Sequence, residues 1–140
     1  VAVVLDSDAV IGFLDRDDAL HAAADGAIGA LAREQPLLTS AVTYAEVLTG
    51  ARLGRHGEDS VDGFFADLIS AIVPVDLEVA SLAADLRARS PALRMPDALI
   101  LATAENDPET GLIVTGDAAM ARVRGLKVEV CLLSERGSKA

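Results

Sequence analysis

Four acidic residues stand out by type and placement: Asp6, Glu46, Asp97 and Asp117. Asp6 directly follows the apolar run Val1–Leu5, and Asp117 follows Leu112–Thr115 in Thr115-Gly116-Asp117. Glu46 comes soon after Leu37–Ser40, and Asp97 follows Pro96 at the head of a strongly apolar segment. Their spacings of 40, 51 and 20 residues forbid a local turn as the reason for any meeting. Four carboxylates brought together repel, and stay ionised near neutral pH only beside a compensating cation. Oxygen donors without His or Cys select a hard ion, Mg²⁺ or Mn²⁺. Such an ion keeps water and phosphate oxygens among its ligands. The matching chemistry is phosphodiester hydrolysis, in which a metal generates hydroxide and stabilises charge on the scissile phosphate. Each acid also has an ordinary structural role. Asp6 reads equally as a loop acid, Glu46 as the far half of a capping box, Asp97 as a partner of the helix macrodipole and Asp117 as an N-cap. The signal lies in the set.

The elements that must position these acids alternate between strand and helix. Val1–Leu5 reads as a strand buried on both faces. Ser7 or Asp8 caps a short helix to about Leu14. Asp17 or Asp18 caps a second, from Ala19 to about Glu34, ended by Pro36. Leu37–Ser40 is the next strand, and Thr43-Tyr44-Ala45-Glu46 has the capping-box pattern of a helix reaching Leu53. Glu58–Ser70 is helical and Ala71–Val75 a strand. Asp76 caps a helix over Leu77–Arg89, and Pro96 is the first residue of a helix to about Glu105 that is apolar nearly all round. Leu112–Thr115 is a strand, Asp117 opens a short helix ending near Arg124, and Lys127–Leu132 is the last strand. This alternation predicts a mainly parallel α/β sheet flanked by helices. In such sheets ligands bind beyond the carboxyl ends of the strands, where all four acids fall.

Composition narrows the class. The 140 residues predict one domain. Twelve basic against 22 acidic residues give a net charge of −10, which excludes a passive nucleic-acid coat protein. One cysteine excludes an intrachain disulfide framework and a Cys/His zinc cluster. Mean hydropathy is high at +0.37, yet 26 residues are alanine and four aromatic, which suits close-packed helices more than a membrane span. No 18-residue apolar window and no secretory signal are present, so the expected location is the cytoplasm, with no membrane association.

Val4-Leu5-Asp6-Ser7, Thr43-Tyr44-Ala45-Glu46-Val47, Pro96-Asp97-Ala98-Leu99-Ile100 and Leu112-Ile113-Val114-Thr115-Gly116-Asp117 resemble the four motifs of PIN-domain nucleases. Their order and the chain length are most similar to the PIN-domain ribonuclease toxins of VapBC-type toxin–antitoxin pairs. The resemblance spans Val1 to about Leu133. It implies a single PIN-like domain over residues 1–140, with its core at about 1–133 and a short polar C-terminal tail. It further implies a Mg²⁺-dependent endoribonuclease with Asp6, Glu46, Asp97 and Asp117 as catalytic and metal-binding acids, Mn²⁺ being able to substitute. Thr115 and Ser7 are expected to support them. The resemblance implies a homodimer, a structured RNA substrate (tRNA or rRNA) and a cognate antitoxin. That antitoxin is expected to send an Arg or Lys into the acid cluster. Asp8 stands where a neutral residue is commoner in the family. It is either a fifth site carboxylate or a helix cap, and the cap is the favoured reading.

Two other readings compete. Val3-Val4-Leu5-Asp6-Ser7-Asp8 imitates the nucleophile strand of haloacid-dehalogenase-like phosphatases, but no acidic pair follows Lys127, and Glu46 and Asp97 are left without a role. A PIN-fold binding module without catalysis is disfavoured because all four acidic positions are filled. Arginines cluster near three motifs: Arg52 and Arg55, then Arg87, Arg89 and Arg94, then Arg122 and Arg124. They are either ordinary helix-end cations or phosphate holders; Arg94, three residues before Asp97, is the strongest substrate-binding candidate. His21 and His56 read as surface or packing residues. Ser7 has no partnered His for a nucleophilic triad. Tyr44 and Phe64/Phe65 read as core or interface.

Overall fold

A computed structural model describes residues 1–139. In chain order the elements are β1 (Ala2–Leu5), α1 (Ser7–Leu14), α2 (His21–Ala32), β2 (Leu37–Ser40), α3 (Ala41–Arg52), α4 (Glu58–Asp67), β3 (Ala71–Val73), α5 (Leu77–Arg89), α6 (Met95–Asn106), β4 (Thr110–Thr115), α7 (Ala118–Ala121), β5 (Glu129–Ser134) and β6 (Gly137–Lys139). The strands form one sheet in the order β3-β2-β1-β4-β5-β6. All neighbours are parallel except β5 and β6.

The strand period sorts the core into two layers. On β1, Val3 and Leu5 face a cluster built with α1–α4, including Val10, Ile28, Val47, Phe64 and Phe65. Val4 points the other way, to a cluster with α5–α7, including Leu86, Leu101 and Met120. Successive side chains of a strand point to opposite faces, so a β-branched run with no polar interruption suits a strand covered on both sides. Tyr44 packs edge-on against Phe65, with ring centroids 4.9 Å apart, in agreement with a core role. Among the described residues no helix is long and apolar enough to cross a membrane.

The strand order places a topological switch between β1 and β4: the chain leaves β1 toward β2 and β3, then returns to β4 on its other side. Loops diverge there, opening a crevice at the carboxyl ends of the strands. The Asp6 amide bonds to the Val114 carbonyl at 3.0 Å, holding the start of the crevice closed at its base.

Several expected boundaries shift for identifiable reasons. Asp6, not Ser7 or Asp8, caps α1, with Oδ1 accepting from the Ala9 amide at 2.9 Å. Ser40 caps α3, so the Thr43–Glu46 capping box does not form; Thr43 and Glu46 lie inside the helix. No side chain caps α2; Asp18 instead closes a turn onto the Leu20 amide, and the helix starts only at His21. Within the expected short polar tail beyond residue 133, Gly137–Lys139 form β6, which pairs antiparallel with β5 from Leu132↔Lys139 to Ser134↔Gly137. A two-residue turn at Glu135-Arg136 suffices for such a hairpin, and neither β6 side chains nor their order carry an apolar signal.

Candidate active site

The crevice is a cavity of about 320 Å³ lined by Ser7, Asp8, Glu46, Arg94, Asp97, Gly116, Asp117 and Ala118. Its walls are helix starts. Asp97 lies in the first turn of α6, whose start is set by Arg94 and Pro96. Asp117 caps α7, its Oδ1 accepting from the Ala119 amide at 2.9 Å. An acid at a helix start is favoured by the unpaired amides and the dipole, so three of the acids are stabilised by the elements that present them. Glu46 differs. It projects from the second turn of α3, and Ser7 Oγ donates to its Oε1 at 2.5 Å. The approach of Ser7 to Thr43 Oγ1 at 3.3 Å ties the same hydroxyl to α3.

Asp6 lies beneath this crevice and is only 2% exposed. Besides capping α1, its Oδ2 accepts the Thr115 hydroxyl. Thr115 Oγ1 in turn accepts the Asp117 amide at 2.9 Å. One fully buried hydroxyl, that of Thr115, thus joins the acid after β1 to the backbone after β4.

The electrostatics are those of a crowded acidic site. Burial pushes the Asp6 carboxyl up to about 8; the Thr115 hydrogen bond opposes this, and Asp8 and Asp97 add to it. Asp97 rises to about 6, through burial and then Asp117, with Arg94 pulling it down. Asp8 is also raised, by burial first, then by Asp117, Glu46 and Asp18. Against these acids the crevice offers one cation, Arg94, whose Nε lies 3.6 Å from Asp97 Oδ2.

The structure therefore brings Ser7, Glu46, Arg94, Asp97 and Asp117 to one cavity, with Asp6 and Thr115 under it. It also brings Asp8 there, which corrects the cap reading. Asp8 is the second residue of α1, where its side chain turns toward α7 rather than back to the cap. Gly116 permits this approach: a Cβ on it would meet Asp8 Cβ at 3.1 Å and Leu20 Cδ1 at 2.6 Å. The available signal was the pair of Asp6 and Asp8 at a strand-to-helix junction followed, across the sheet, by a glycine before Asp117.

The donor set is oxygen-only and short of positive charge, which fits a hard divalent cation. Among the described residues no three His, Cys, Asp or Glu side chains are placed to hold a metal ion together. An ion held here would therefore bind through one or two carboxylates and keep several waters, as Mg²⁺ does. The phosphatase reading needs Asp6 as an open nucleophile, whereas Asp6 is 2% exposed and each of its oxygens already accepts a hydrogen bond.

A family model described as PIN domain matches residues 3–126. No curated protein matches the chain. Solved structures do. VapBC2 from Rickettsia felis, determined bound to a DNA fragment from its promoter, gives a TM-score of 0.74 at 14% identity over 96% of this chain and 100% of that one. Mycobacterium tuberculosis VapC20, described as a sarcin-ricin loop cleaving toxin, gives 0.67 at 16% identity, covering 91% and 98%. VapBC-5 from Mycobacterium tuberculosis, a member of the VapBC family of toxin–antitoxin systems, gives 0.59 at 26% identity, covering 92% and 96%.

Proposed function

The chain belongs to the PIN domain family, and from that premise we propose that it is a Mg²⁺-dependent endoribonuclease, the toxin of a type II toxin–antitoxin pair. The observation that carries this reading is the crevice itself: Asp8, Glu46, Asp97 and Asp117 around it, Asp6 below, and Arg94 as its single cation. Mg²⁺, or Mn²⁺ in its place, would supply an acidified water and neutralise charge on the scissile phosphate.

The chain's own residues do the rest. Asp6, Asp97, Asp117 and Glu46 would hold the cation directly or through its bound waters, with Asp8 beside them. The Ser7 hydroxyl occupies Glu46 Oε1, so the other oxygen of Glu46 is the one left for the crevice. Thr115 fixes the rotamer of Asp6 and the backbone of Asp117 together. Arg94, with its side chain 77% exposed, can turn from Asp97 to a phosphate oxygen without unfolding anything. Arg87 keeps it in place from behind, donating to the Leu93 and Pro91 carbonyls at 2.7 and 3.2 Å.

The partner reading rests on likeness and on charge. The similar structures include toxin–antitoxin complexes. In a chain of net charge −10, an antitoxin segment carrying an Arg would be drawn to the acid crevice, where its planar fork could replace the cation. A homodimer agrees with the exposed apolar side chains Ile72, Val75 and Leu77. Structured RNA is the proposed substrate and the cytoplasm the proposed compartment. The deciding experiment incubates purified protein with total RNA, with Mg²⁺ or with EDTA, beside Asp97→Asn. The reading expects discrete Mg²⁺-dependent cleavage that EDTA and the substitution abolish. Cleavage that persists in EDTA overturns the metal mechanism, and no cleavage of any RNA overturns the nuclease.

A further inference from the structure

A second cavity, of about 300 Å³, is lined by Arg89, Ser90, Arg122 and Arg124. Its chemistry is the opposite of the acid crevice. Three arginines meet at the second cavity in a protein of net charge −10. Among the described residues the ion pairs are Arg52–Glu58 and Arg94–Asp97, so none of these three has a carboxylate partner. Their meeting is built rather than accidental. Arg89 ends α5, and its Nη1 donates to the Arg124 carbonyl at 3.3 Å. Gly125 turns the chain there with φ of 75°, and a Cβ on it would meet Arg89 Nη1 at 3.2 Å. Just beyond, the buried Glu105 carboxylate accepts the Lys127 and Val128 amides and anchors the returning segment.

The two cavities are neighbours through the chain. Asp117 caps α7 and Arg122 is its C-cap, so they stand about 7–8 Å apart along the helix axis at 1.5 Å per residue. Ser90 begins the five-residue connector that ends at Arg94, on the wall of the crevice. Asp18 lies near enough to raise Asp8, so the acidic field extends beyond the crevice lining.

Resting on the nuclease reading above, we propose that the Arg89–Ser90–Arg122–Arg124 cleft is a phosphate subsite for the RNA strand flanking the cleaved bond. Unpaired guanidiniums and a hydroxyl suit phosphate oxygens, which they bind without reading sequence. The subsite gives a strongly acidic protein a local grip on a polyanion.

The test uses full-length Asp97→Asn protein, so that binding is read without turnover, and a fluorescein-labelled oligoribonucleotide hairpin followed by anisotropy across a salt series. Adding Arg122→Ala and Arg124→Ala should weaken binding and lower the log–log salt slope by about 0.7 for each phosphate that is no longer neutralised. Arg33→Ala, which removes one positive charge from an exposed helix end elsewhere, should leave the slope unchanged. An unaltered slope in the Arg122/Arg124 variant overturns the subsite, and so does an equal fall with Arg33→Ala. Circular dichroism of each variant separates a weakened grip on phosphate from unfolding. Arg-dependent binding by a wild-type protein that cleaves no RNA would support the subsite and overturn the nuclease reading instead.

Discussion

The Thr115 hydroxyl donates to Asp6 across 109 residues of chain, and the same oxygen accepts the amide of Asp117. One buried atom thus sets the relative position of two acids from two strands. Thr115→Val keeps the volume but leaves the Asp117 amide without its acceptor and Asp6 without its donor. RNA cleavage is expected to fall about 10- to 100-fold, the usual effect of losing a group that orients a metal ligand. Thr115→Ser restores the hydroxyl and should restore most of the rate. Single-turnover cleavage of one RNA by the three proteins decides this; equal rates for Val and Thr would refute the coupling.

Asp8→Asn separates a cap from a site acid. Loss of an N-cap costs about 1 kcal/mol, but here the cap is Asp6. Asp8→Asn should therefore leave the melting temperature at neutral pH unchanged or higher, since it relieves repulsion with Asp117 and Glu46. Mg²⁺ affinity should weaken. A lower melting temperature with unchanged Mg²⁺ affinity would return Asp8 to a capping role.

Metal-free stability should depend on pH in a defined direction. Burial holds the Asp6 proton until about pH 8, against an ordinary 3.8. The native state then binds that proton more tightly than the unfolded chain. Its stabilising effect is complete below the ordinary value and is lost as pH rises toward 8. Asp97, raised to about 6, adds to the loss over the lower part of that range. Thermal melts in EDTA should show a steady fall in melting temperature from about pH 4 to about pH 8. Asp6→Asn should flatten the upper part of the fall and be the more stable protein at the alkaline end. A wild-type melting temperature that rises across this interval would contradict the buried-acid account.

Mg²⁺ should reverse this loss. A ligand that binds only the folded state stabilises it by about 2.7 kcal/mol at a hundred times its dissociation constant. Mg²⁺ is expected to raise the wild-type melting temperature near pH 8 and to do little for Asp97→Asn. Equal shifts in both proteins would place the ion elsewhere.

Much of this arrangement was legible in the residues alone. The apolar runs of β1, β2 and β4 and the acids behind them identified the sheet edge, and Asp76 with Leu77–Arg89 marked α5 to the residue. Local ambiguity hid the rest. Asp6, Ser7 and Asp8 are all competent caps, and only the buried Thr115 partner selects Asp6. Ser40 and Thr43 both offer a hydroxyl to a helix start, and only the end of β2 decides between them. The hydrogen bond from Arg89 to Arg124 joins residues 35 apart through a carbonyl, which no side-chain pattern encodes. β6 is polar because it borders solvent, so it lacks the alternation that reveals a strand.

That last strand has a consequence for the chemical ageing of the protein. Cys131 lies on β5, 8% exposed, with its thiol raised by burial and so poorly ionised. β6 covers β5 from Leu132 onward. Oxidants and alkylating reagents act on the thiolate, so the hairpin works as a shield for a thiol that would otherwise border an open strand edge. Proteolytic clipping at the Glu135-Arg136 turn would remove that shield, and the damaged molecules would declare themselves by becoming reactive to iodoacetamide.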